Sequence, residues 1–337
     1  MTNDQTKEKR QIPIVCPGHT RPLAEVQFTN VKEENRIFLV SACHDKLPML
    51  RDGVTGNWIG TFMGHKGAVW CCRLDRSGSL AATASGDFSV KVWDAITGKS
   101  LWEFPHNHIV KTCDFSPDSS RLATGGHEGL LRIYNLTDQL RNGGGDDSNN
   151  ENGVDDDIVA TEPMVLNHEK VVITKCNWWT DKLLLAAGAD GTIRFWEVDN
   201  NVVAHTFKVD AEVRDMEIVN TTSDDGSTIL TVASGNMVYF FDLNSKELLK
   251  SYTMPIHFKD EGGASLHPSG TKFVAGGSDL WVRVFDYETG EELECLKGHH
   301  GPIRCLRYAP DGKSFATGSE DGTIRLWKTT TTDAKDE

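Results

Sequence analysis

One pair of spacings recurs five times along this chain of 337 residues. His65 is followed after 22 residues by Asp87 and after 28 residues by Trp93. Four other histidines begin the same spacings, which end on an aromatic residue: His106, Glu128 and Tyr134; His168, Asp190 and Trp196; His257, Asp279 and Phe285; His299, Asp321 and Trp327. A constellation that performs chemistry occurs once, whereas a structural repeat copies its marks. The chain is therefore built from copies of one unit.

The unit is about 43 residues long and occurs seven times. Degenerate copies end at Arg51-Asp52 and Phe241-Asp242, and an insertion of about 20 residues explains the one long interval. Short β-rich runs such as Leu80–Ser85 alternate with turn residues, which predicts four short antiparallel strands per unit. Because this period is typical of WD40 repeats, we expect an all-β chain folded as a seven-bladed WD40 β-propeller.

The two ends of the chain suggest how the ring closes. After Trp327, the segment Lys328–Glu337 contains no apolar run for an outer strand of the last blade. Ile12–Cys16 precedes the first Gly-His pair in the way that Ser100–Phe104 precedes His106. A closed ring leaves no exposed face at the ends of the stack of blades. We therefore predict that the N-terminal strand completes the last blade.

This organisation predicts a single domain, residues 12–328, with disordered ends at 1–11 and 329–337. The expected blades lie near residues 18–60, 64–104, 106–166, 168–207, 209–252, 254–296, and 298–328 together with 12–16. The third blade carries an acidic insertion at 139–161. Residues 139–162 hold seven acidic residues against one Arg, which predicts a solvated, disordered loop on the rim opposite the histidines. An acidic docking or phosphorylation segment is the alternative.

The repeated His, Asp and Trp resemble parts of a hydrolase relay, but their repetition favours a structural role. In each blade the Asp is expected to accept a hydrogen bond from the His, which also reaches a Ser or Thr hydroxyl and the Trp indole. We predict complete networks in the units of Trp93, Trp196 and Trp327. Tyr134 and Phe285 replace the indole in two other units. We expect no catalytic residue, metal site or cofactor, because no phosphate loop, dinucleotide fingerprint or metalloprotease motif is present.

Composition narrows the classes of partner. The net charge is −14, from 35 basic and 49 acidic residues, so an RNA contact is expected to be at most indirect. No run of about 18 apolar residues occurs, which argues against membrane insertion. The polar start of the chain does not resemble a secretory signal, and eight cysteines without metal-binding spacing are expected to be buried thiols. We expect a monomeric propeller in the cytoplasm, with the nucleus as a second location.

The rim that carries the histidine loops is the predicted surface for a protein partner. Arg21, Lys66 and Lys170 are expected to form a basic patch suited to an acidic peptide, with Trp70 deeper as a packed wall residue or an anchor. Charge reversal at Lys66 and Lys170 is predicted to weaken partner capture without a change in melting temperature. Further residues expected on this rim are His300, Glu320, His44, Gly86, His127, Ala189 and Ser278.

Specific strings of the sequence resemble one WD40 family. They include Cys16–Pro22, Ser41–Arg51, Asn57–Phe62 with Gly64–Trp70, the HNHIVK string at His106–Lys111, and Gly298–Ile303. Together they resemble the serine-threonine kinase receptor-associated protein family, also called the unr-interacting protein family, over residues 12–328. The resemblance is dense in repeats 1–3 and 6–7 and sparse from about 139 to 255.

This resemblance implies a non-catalytic adaptor in the survival motor neuron (SMN) complex, acting in spliceosomal snRNP assembly and mRNA processing. Implied partners are Gemin-type and other SMN complex subunits, Sm-class or RNA-binding proteins, and receptor kinases. The acidic insertion and the short tail after Trp327 depart from the family pattern. The alternative is the WD-repeat subunit of translation initiation factor 3, which shares the segment Gly64–Cys72. A propeller enzyme is the alternative of another class.

Overall fold

The computed structural model describes residues 11–31, 36–137, 162–222, 226–258 and 262–329. These residues form seven four-stranded antiparallel sheets. The first strand of each sheet packs beside the first strands of the two neighbouring sheets, including that of the last sheet beside that of the first. The sheets therefore close a ring around a central channel, and the predicted all-β seven-bladed propeller is confirmed.

The first three blades follow one another along the chain. Blade 1 contains β2 (Leu23–Val31), β3 (Arg36–Cys43), β4 (Met49–Asp52) and β5 (Trp58–Thr61). Blade 2 contains β6 (Val69–Leu74), β7 (Leu80–Ser85), β8 (Ser89–Asp94) and β9 (Ser100–Pro105). Blade 3 contains β10 (Val110–Phe115), β11 (Arg121–Gly126), β12 (Leu130–Asn135) and β13 (Met164–Asn167).

The remaining blades repeat this arrangement. Blade 4 contains β14 (Ile173–Trp178), β15 (Leu183–Gly188), β16 (Thr192–Glu197), a 3-10 turn (Val198–Asn200) and β17 (Val202–Lys208). Blade 5 contains β18 (Val213–Asn220), β19 (Thr228–Ser234), β20 (Met237–Asp242) and β21 (Glu247–Thr253). Blade 6 contains β22 (Gly263–Leu266), β23 (Lys272–Gly276), β24 (Trp281–Asp286) and β25 (Glu292–Lys297). Blade 7 contains β26 (Ile303–Tyr308), β27 (Ser314–Ser319), β28 (Ile324–Lys328) and β1 (Ile14–Cys16).

The outer strand of blade 7 comes from the N-terminal segment. β1 pairs antiparallel with β28, and Ile14 lies opposite Leu326 while Cys16 lies opposite Ile324. Pro13, which has no backbone N–H to donate, precedes the strand. The prediction that the N-terminal strand closes the last blade is confirmed.

The hydrophobic core lies between the blades. Among the described residues, seven clusters of buried side chains form, and each joins two neighbouring blades. Between blades 1 and 2, for example, Val40 and Phe62 pack with Cys72 and Trp93. Small or apolar residues fill the second strand of each blade, as in Leu80–Ser85, because both of its faces are covered. A single blade has no such cover, so its stability depends on its neighbours.

Some predicted segments lie outside the described residues: positions 1–10 of the N-terminal end, the insertion at 139–161, and the tail from 330. Seven of the eight cysteines are buried, and none is in a disulfide. Within the described ranges, no helix is long and apolar enough to cross a membrane.

Candidate functional site

The predicted network is present in blade 2. His65 Nδ1 lies 2.8 Å from Asp87 Oδ2, and His65 Nε2 lies 2.7 Å from Thr83 Oγ1. Since the carboxylate accepts from Nδ1, Nε2 is the acceptor for the Thr83 hydroxyl. Trp93 Nε1 donates to the same hydroxyl oxygen at 2.8 Å. Thr83 is fully buried, so this Thr-His-Asp arrangement stabilises the blade and is closed to a substrate.

Blade 7 repeats the same geometry. His299 contacts Asp321 at 3.1 Å and Thr317 at 2.8 Å, and Trp327 donates to Thr317 at 2.9 Å. Burial lowers the pKa of His299 to about 4. Burial would raise the pKa of Asp321, but hydrogen bonds from the His300 backbone N–H and from Thr323 outweigh it and lower that pKa to about 2. The pair is therefore a neutral imidazole beside a carboxylate at pH 7.

Blade 4 does not contain the complete network that its sequence predicts. The position of the buried threonine is occupied by Ala186, so Trp196 Nε1 and His168 Nδ1 are buried without a hydrogen-bond partner. Arg194 Nη1 donates to His168 Nε2 at 2.8 Å and replaces the hydroxyl. Asp190 binds Thr192 instead of the histidine. The prediction for this blade is wrong because it considered His, Asp and Trp but not the residue that joins them.

Blade 6 also departs from the prediction. His257 is exposed, and its side chain takes no part in a network with Asp279. Asp279 Oδ2 instead pairs with Arg283 Nη2 at 2.7 Å. Ala275 stands where blades 2 and 7 have threonine, and Phe285 has no donor to offer. The spacing was kept in this blade, but the hydrogen bonds were not.

Blade 3 has an intermediate arrangement. His106 Nε2 contacts Thr124 Oγ1 at 2.9 Å, but its Nδ1 donates to the Phe104 carbonyl oxygen at 3.0 Å. The longer Glu128 side chain pairs with Arg132 at 2.6 Å and accepts from a backbone N–H. The Tyr134 ring stacks on Phe104 with centroids 4.0 Å apart.

Blade 1 contains a network that the spacing search missed. His19 Nδ1 lies 2.8 Å from Asp45 and Nε2 lies 2.8 Å from Ser41. A longer hairpin between β2 and β3 moves the acid to 26 residues after the histidine, four more than in the other blades. The signal was available, because Arg51 follows Asp45 by the usual six residues. Arg51 is buried in the place of Trp and donates to the Pro17 carbonyl at 2.5 Å.

The same blade holds the one set of metal-type ligands found in the described part of the chain. One ligand atom each of His19, Cys43 and Asp45 lie within 4.8 Å of one another. His19 and Asp45 bind each other, and Cys43 Sγ donates to the Arg21 carbonyl oxygen at 3.1 Å. These bonds account for all three side chains as parts of the blade.

A row of β-bulges shapes the mouth of the channel on the histidine-bearing rim. In six of the seven first strands, the register with the second strand shifts around one extra residue. A bulge leaves its extra residue unpaired and re-aims the side chain. All six extra residues line one cavity of about 330 Å³: Ala24, Trp70, Lys111, Thr174, Arg214 and Arg304.

Buried ion pairs form the floor of this mouth. Arg73 Nη1 and Lys175 Nζ both lie 2.8 Å from Glu25. Burial alone would raise the pKa of Glu25, but Arg73 and Lys175 outweigh it and hold the pKa far below its usual range. Across the channel, Arg307 binds Asp215 through two contacts of 2.6 Å. These charges satisfy one another and link blades 1, 2, 4, 5 and 7 around the axis.

A smaller cavity of about 170 Å³ lies beyond this floor. Its walls include Asp114 and Glu217, and burial raises their pKa values to about 6 and about 7. Asn177 Oδ1 and Glu217 Oε2 have no partner there. The two ends of the channel therefore differ: cations surround the mouth, and buried acids lie at the opposite end.

The predicted rim residues occupy two different places. Arg21, Lys66, Lys170 and His300 are exposed on the rim loops and do not line the mouth cavity. Trp70 lines the cavity, and the exposed Glu320 lies 3.9 Å from Arg304.

Sequence reasoning missed three cations of the mouth, namely Lys111, Arg214 and Arg304. A simple signal marks two of them, because Lys111 and Arg304 lie five residues after His106 and His299, as Trp70 lies after His65. Arg214 has no such signal, because blade 5 lacks the histidine.

Seven four-stranded blades with this repeated network define the WD40 β-propellers, a class of protein-binding scaffolds. The family model of the WD domain, G-beta repeat, matches residues 56–94, 98–135, 162–197 and 290–328. A serine-threonine kinase receptor-associated protein of Gallus gallus is 42% identical over 95% of this chain and 83% of its own length. That of Dictyostelium discoideum is 42% identical over 94% of this chain and 98% of its own length. The chain belongs to the serine-threonine kinase receptor-associated protein family.

The alternative family is more distant. The eukaryotic translation initiation factor 3 subunit I of Anopheles gambiae is 29% identical over 93% of this chain and 95% of its own length. The shared propeller explains an alignment over nearly the whole of both chains, so the difference between 42% and 29% identity favours the first family.

Proposed function

We propose that this propeller is a non-catalytic adaptor of the SMN complex, where it assists the loading of Sm-class proteins in spliceosomal snRNP assembly and in mRNA processing. Membership of the serine-threonine kinase receptor-associated protein family supports this proposal. The partners would be Gemin-type and other SMN complex subunits and Sm-class or RNA-binding proteins, with RNA held only through them. The sites of action would be the cytoplasm and the nucleus.

The observation that carries an adaptor function is the division of labour among the polar residues. The His, Thr and Asp groups that resemble a catalytic relay are buried and stabilise blades 2 and 7. The polar groups that reach solvent collect at a rim and at the mouth of a channel. A rigid ring that presents such a surface suits the binding of other proteins.

Two further roles have support of their own. The names of the relatives describe association with a receptor that is a serine-threonine kinase, so regulation of receptor kinases is a second proposed role. The identity of 29% to the initiation factor subunit over 93% of this chain supports a place in translation initiation as the competing proposal.

Affinity capture from native extract distinguishes these functions. A tagged chain would be captured with and without RNase, and the retained proteins identified by mass spectrometry. We expect Gemin-type and Sm-class proteins in both samples, since contact with RNA is proposed to be indirect. Recovery of initiation factor 3 subunits in their place would replace the proposal with the competing one, and loss of all partners after RNase would contradict the adaptor model.

A further inference from the structure

We infer that the channel mouth binds an acidic segment of a partner protein, with one carboxylate of that segment seated among Lys111, Arg214 and Arg304. This inference rests on the proposed adaptor function, because it names the chemistry of the partner. It differs from the predicted patch of Arg21, Lys66 and Lys170, which lies outside the cavity.

The backbone holds these three cations in place. Each is the extra residue of a β-bulge, in β10, β18 and β26. The following residue is paired again in the ladder, so the side chain leaves the sheet from a fixed point near the axis. All three are half-buried and line the same cavity, whereas side chains on the rim loops are exposed. A site held by strands is better organised for binding than one held by loops.

The charges of the mouth are positive in an acidic protein. The nearby carboxylates are Glu212, 2.8 Å from Arg214, and Glu320, 3.9 Å from Arg304. The carboxylates of the floor are already bound by Arg73, Lys175 and Arg307. Three cations therefore face two carboxylates around the opening.

A nearby histidine reports the same excess of positive charge. Burial lowers the pKa of His44 to about 4, and the charges of Arg304, Lys111 and Arg21 lower it further than burial alone. An anionic group is the complement of this site.

Aromatic rings extend the mouth towards the rim. Lys111 Nζ lies 3.0 Å from the centre of the Trp70 ring, which also meets His44 edge to face at 4.5 Å. On the other side, His127 stacks on His108 at 5.0 Å, and His108 lies 5.6 Å from the exposed Phe88. A peptide that places an acidic residue in the cavity finds flat, partly apolar contacts for its neighbours.

The same features favour a peptide over a nucleic acid. The net charge of −14 repels a polyanion that approaches along an extended path, and the exposed cations of the mouth are few. A cavity of about 330 Å³ holds one or a few side chains. A short acidic segment meets the local positive charge and leaves most of the acidic surface untouched.

A titration of the full chain tests the inference. The probe is a fluorescein-labelled ten-residue peptide of alternating Glu and Ser, compared with a Gln-Ser peptide and with a ten-residue oligouridine, each followed by fluorescence anisotropy. The mouth variant combines Lys111→Met and Arg304→Met, which keep long side chains and remove two charges. Lys182→Met with Lys313→Met removes two exposed charges from turns on the opposite face, and Lys66→Met with Lys170→Met removes two from the rim.

We expect binding of the Glu-Ser peptide to weaken about tenfold or more in the mouth variant, as for the loss of charge-assisted hydrogen bonds. Binding should change less than about twofold in the opposite-face pair. If the mouth variant melts at a lower temperature, Lys111→Met alone provides the same comparison in a milder form. The Gln-Ser peptide should not bind, and added salt should weaken the Glu-Ser complex.

Three outcomes would overturn the inference. Equal loss in the mouth and opposite-face pairs would show a nonspecific charge effect. Loss confined to the Lys66 and Lys170 pair would move the site to the rim. Tighter binding of oligouridine than of the peptide would assign the mouth to nucleic acid. The extract experiment reads the identity of partners and this titration reads the chemistry of the mouth, so either proposal fails without affecting the other.

Discussion

Blades 2 and 4 carry the same His, Asp and Trp at the same spacings, but their interiors differ. In blade 2 the hydroxyl of Thr83 joins His65 to Trp93. In blade 4 an alanine, Ala186, takes that place, and the indole of Trp196 has no partner. One oxygen atom therefore decides whether the conserved spacing becomes a hydrogen-bond network. The comparison shows that residues which mark a repeat do not by themselves report how well each copy is satisfied.

The comparison presupposes a closed ring, and removal of residues 1–17 tests that condition. The deletion removes β1, uncovers the edge of β28 at Ile324 and Leu326, and deletes the carbonyl that binds Arg51. We expect a loss of about 4 kcal/mol in unfolding free energy, on the order of 5 °C in Tm. Removal of residues 1–10 is the control, since β1 remains. An unchanged Tm after the longer deletion would refute closure by the N-terminal strand.

Thr83→Ala should convert blade 2 into a copy of blade 4. His65 Nε2 and Trp93 Nε1 would both lose their partner inside the core, which costs about 3 kcal/mol in total. Urea denaturation measures the loss, and Thr83→Ser should recover most of it because the hydroxyl stays. Thr206→Ala, at an exposed position of β17, is the matched control. Equal stability of the alanine variant and the wild type would show that the hydroxyl does not hold the blade together.

The two blades also predict a dependence of stability on pH. Burial and the charge of Arg194 lower the pKa of His168 to about 4, below the value near 6.5 of an unfolded chain. Between these values the unfolded chain is protonated and the folded protein is not, so stability falls as the pH decreases from about 6.5 to about 4. His168→Gln should reduce that fall by on the order of 2 kcal/mol. His108→Gln, at an exposed histidine, should not, and an identical slope in all three proteins would contradict the prediction.

Ala186→Thr is the reverse exchange and the smallest expected effect. The new hydroxyl can accept from Trp196 Nε1, which should add about 1 kcal/mol to the unfolding free energy. Thermal melts of the variant and of Ala186→Val, which adds similar bulk without a hydroxyl, separate hydrogen bonding from packing. A lower Tm for threonine than for valine would show that Arg194 already fills the space of the hydroxyl.

The sequence was sufficient for the architecture because a propeller repeats its information. Five copies of one spacing and the β-rich segment ending at Cys16 predicted the number of blades and the strand that closes them. Details of single blades were less predictable. Ala186 in blade 4 and the exposed His257 in blade 6 change the bonding without changing any spacing. A search at fixed spacing also missed His19, because a longer hairpin moves Asp45 by four residues.

The candidate site was harder to predict than the fold. The rim loops were located from the histidines, but the inward direction of Lys111, Arg214 and Arg304 depends on β-bulges. A bulge is a property of how two strands pair, and neither strand shows it alone. The pairing of Glu25 with Arg73 and Lys175 likewise joins residues up to 150 positions apart. Such contacts follow from closure of the ring.

The pairing of Ile14 with Leu326 has a consequence for the synthesis of the protein. A ribosome releases the partner of this strand only after almost the whole chain has been made. Until then, the first blade waits beside an open gap, with the apolar side chains of Cys16 and Leu23 uncovered. The last strand to emerge thus completes the first element translated, and the nascent chain needs protection from aggregation until its two ends meet.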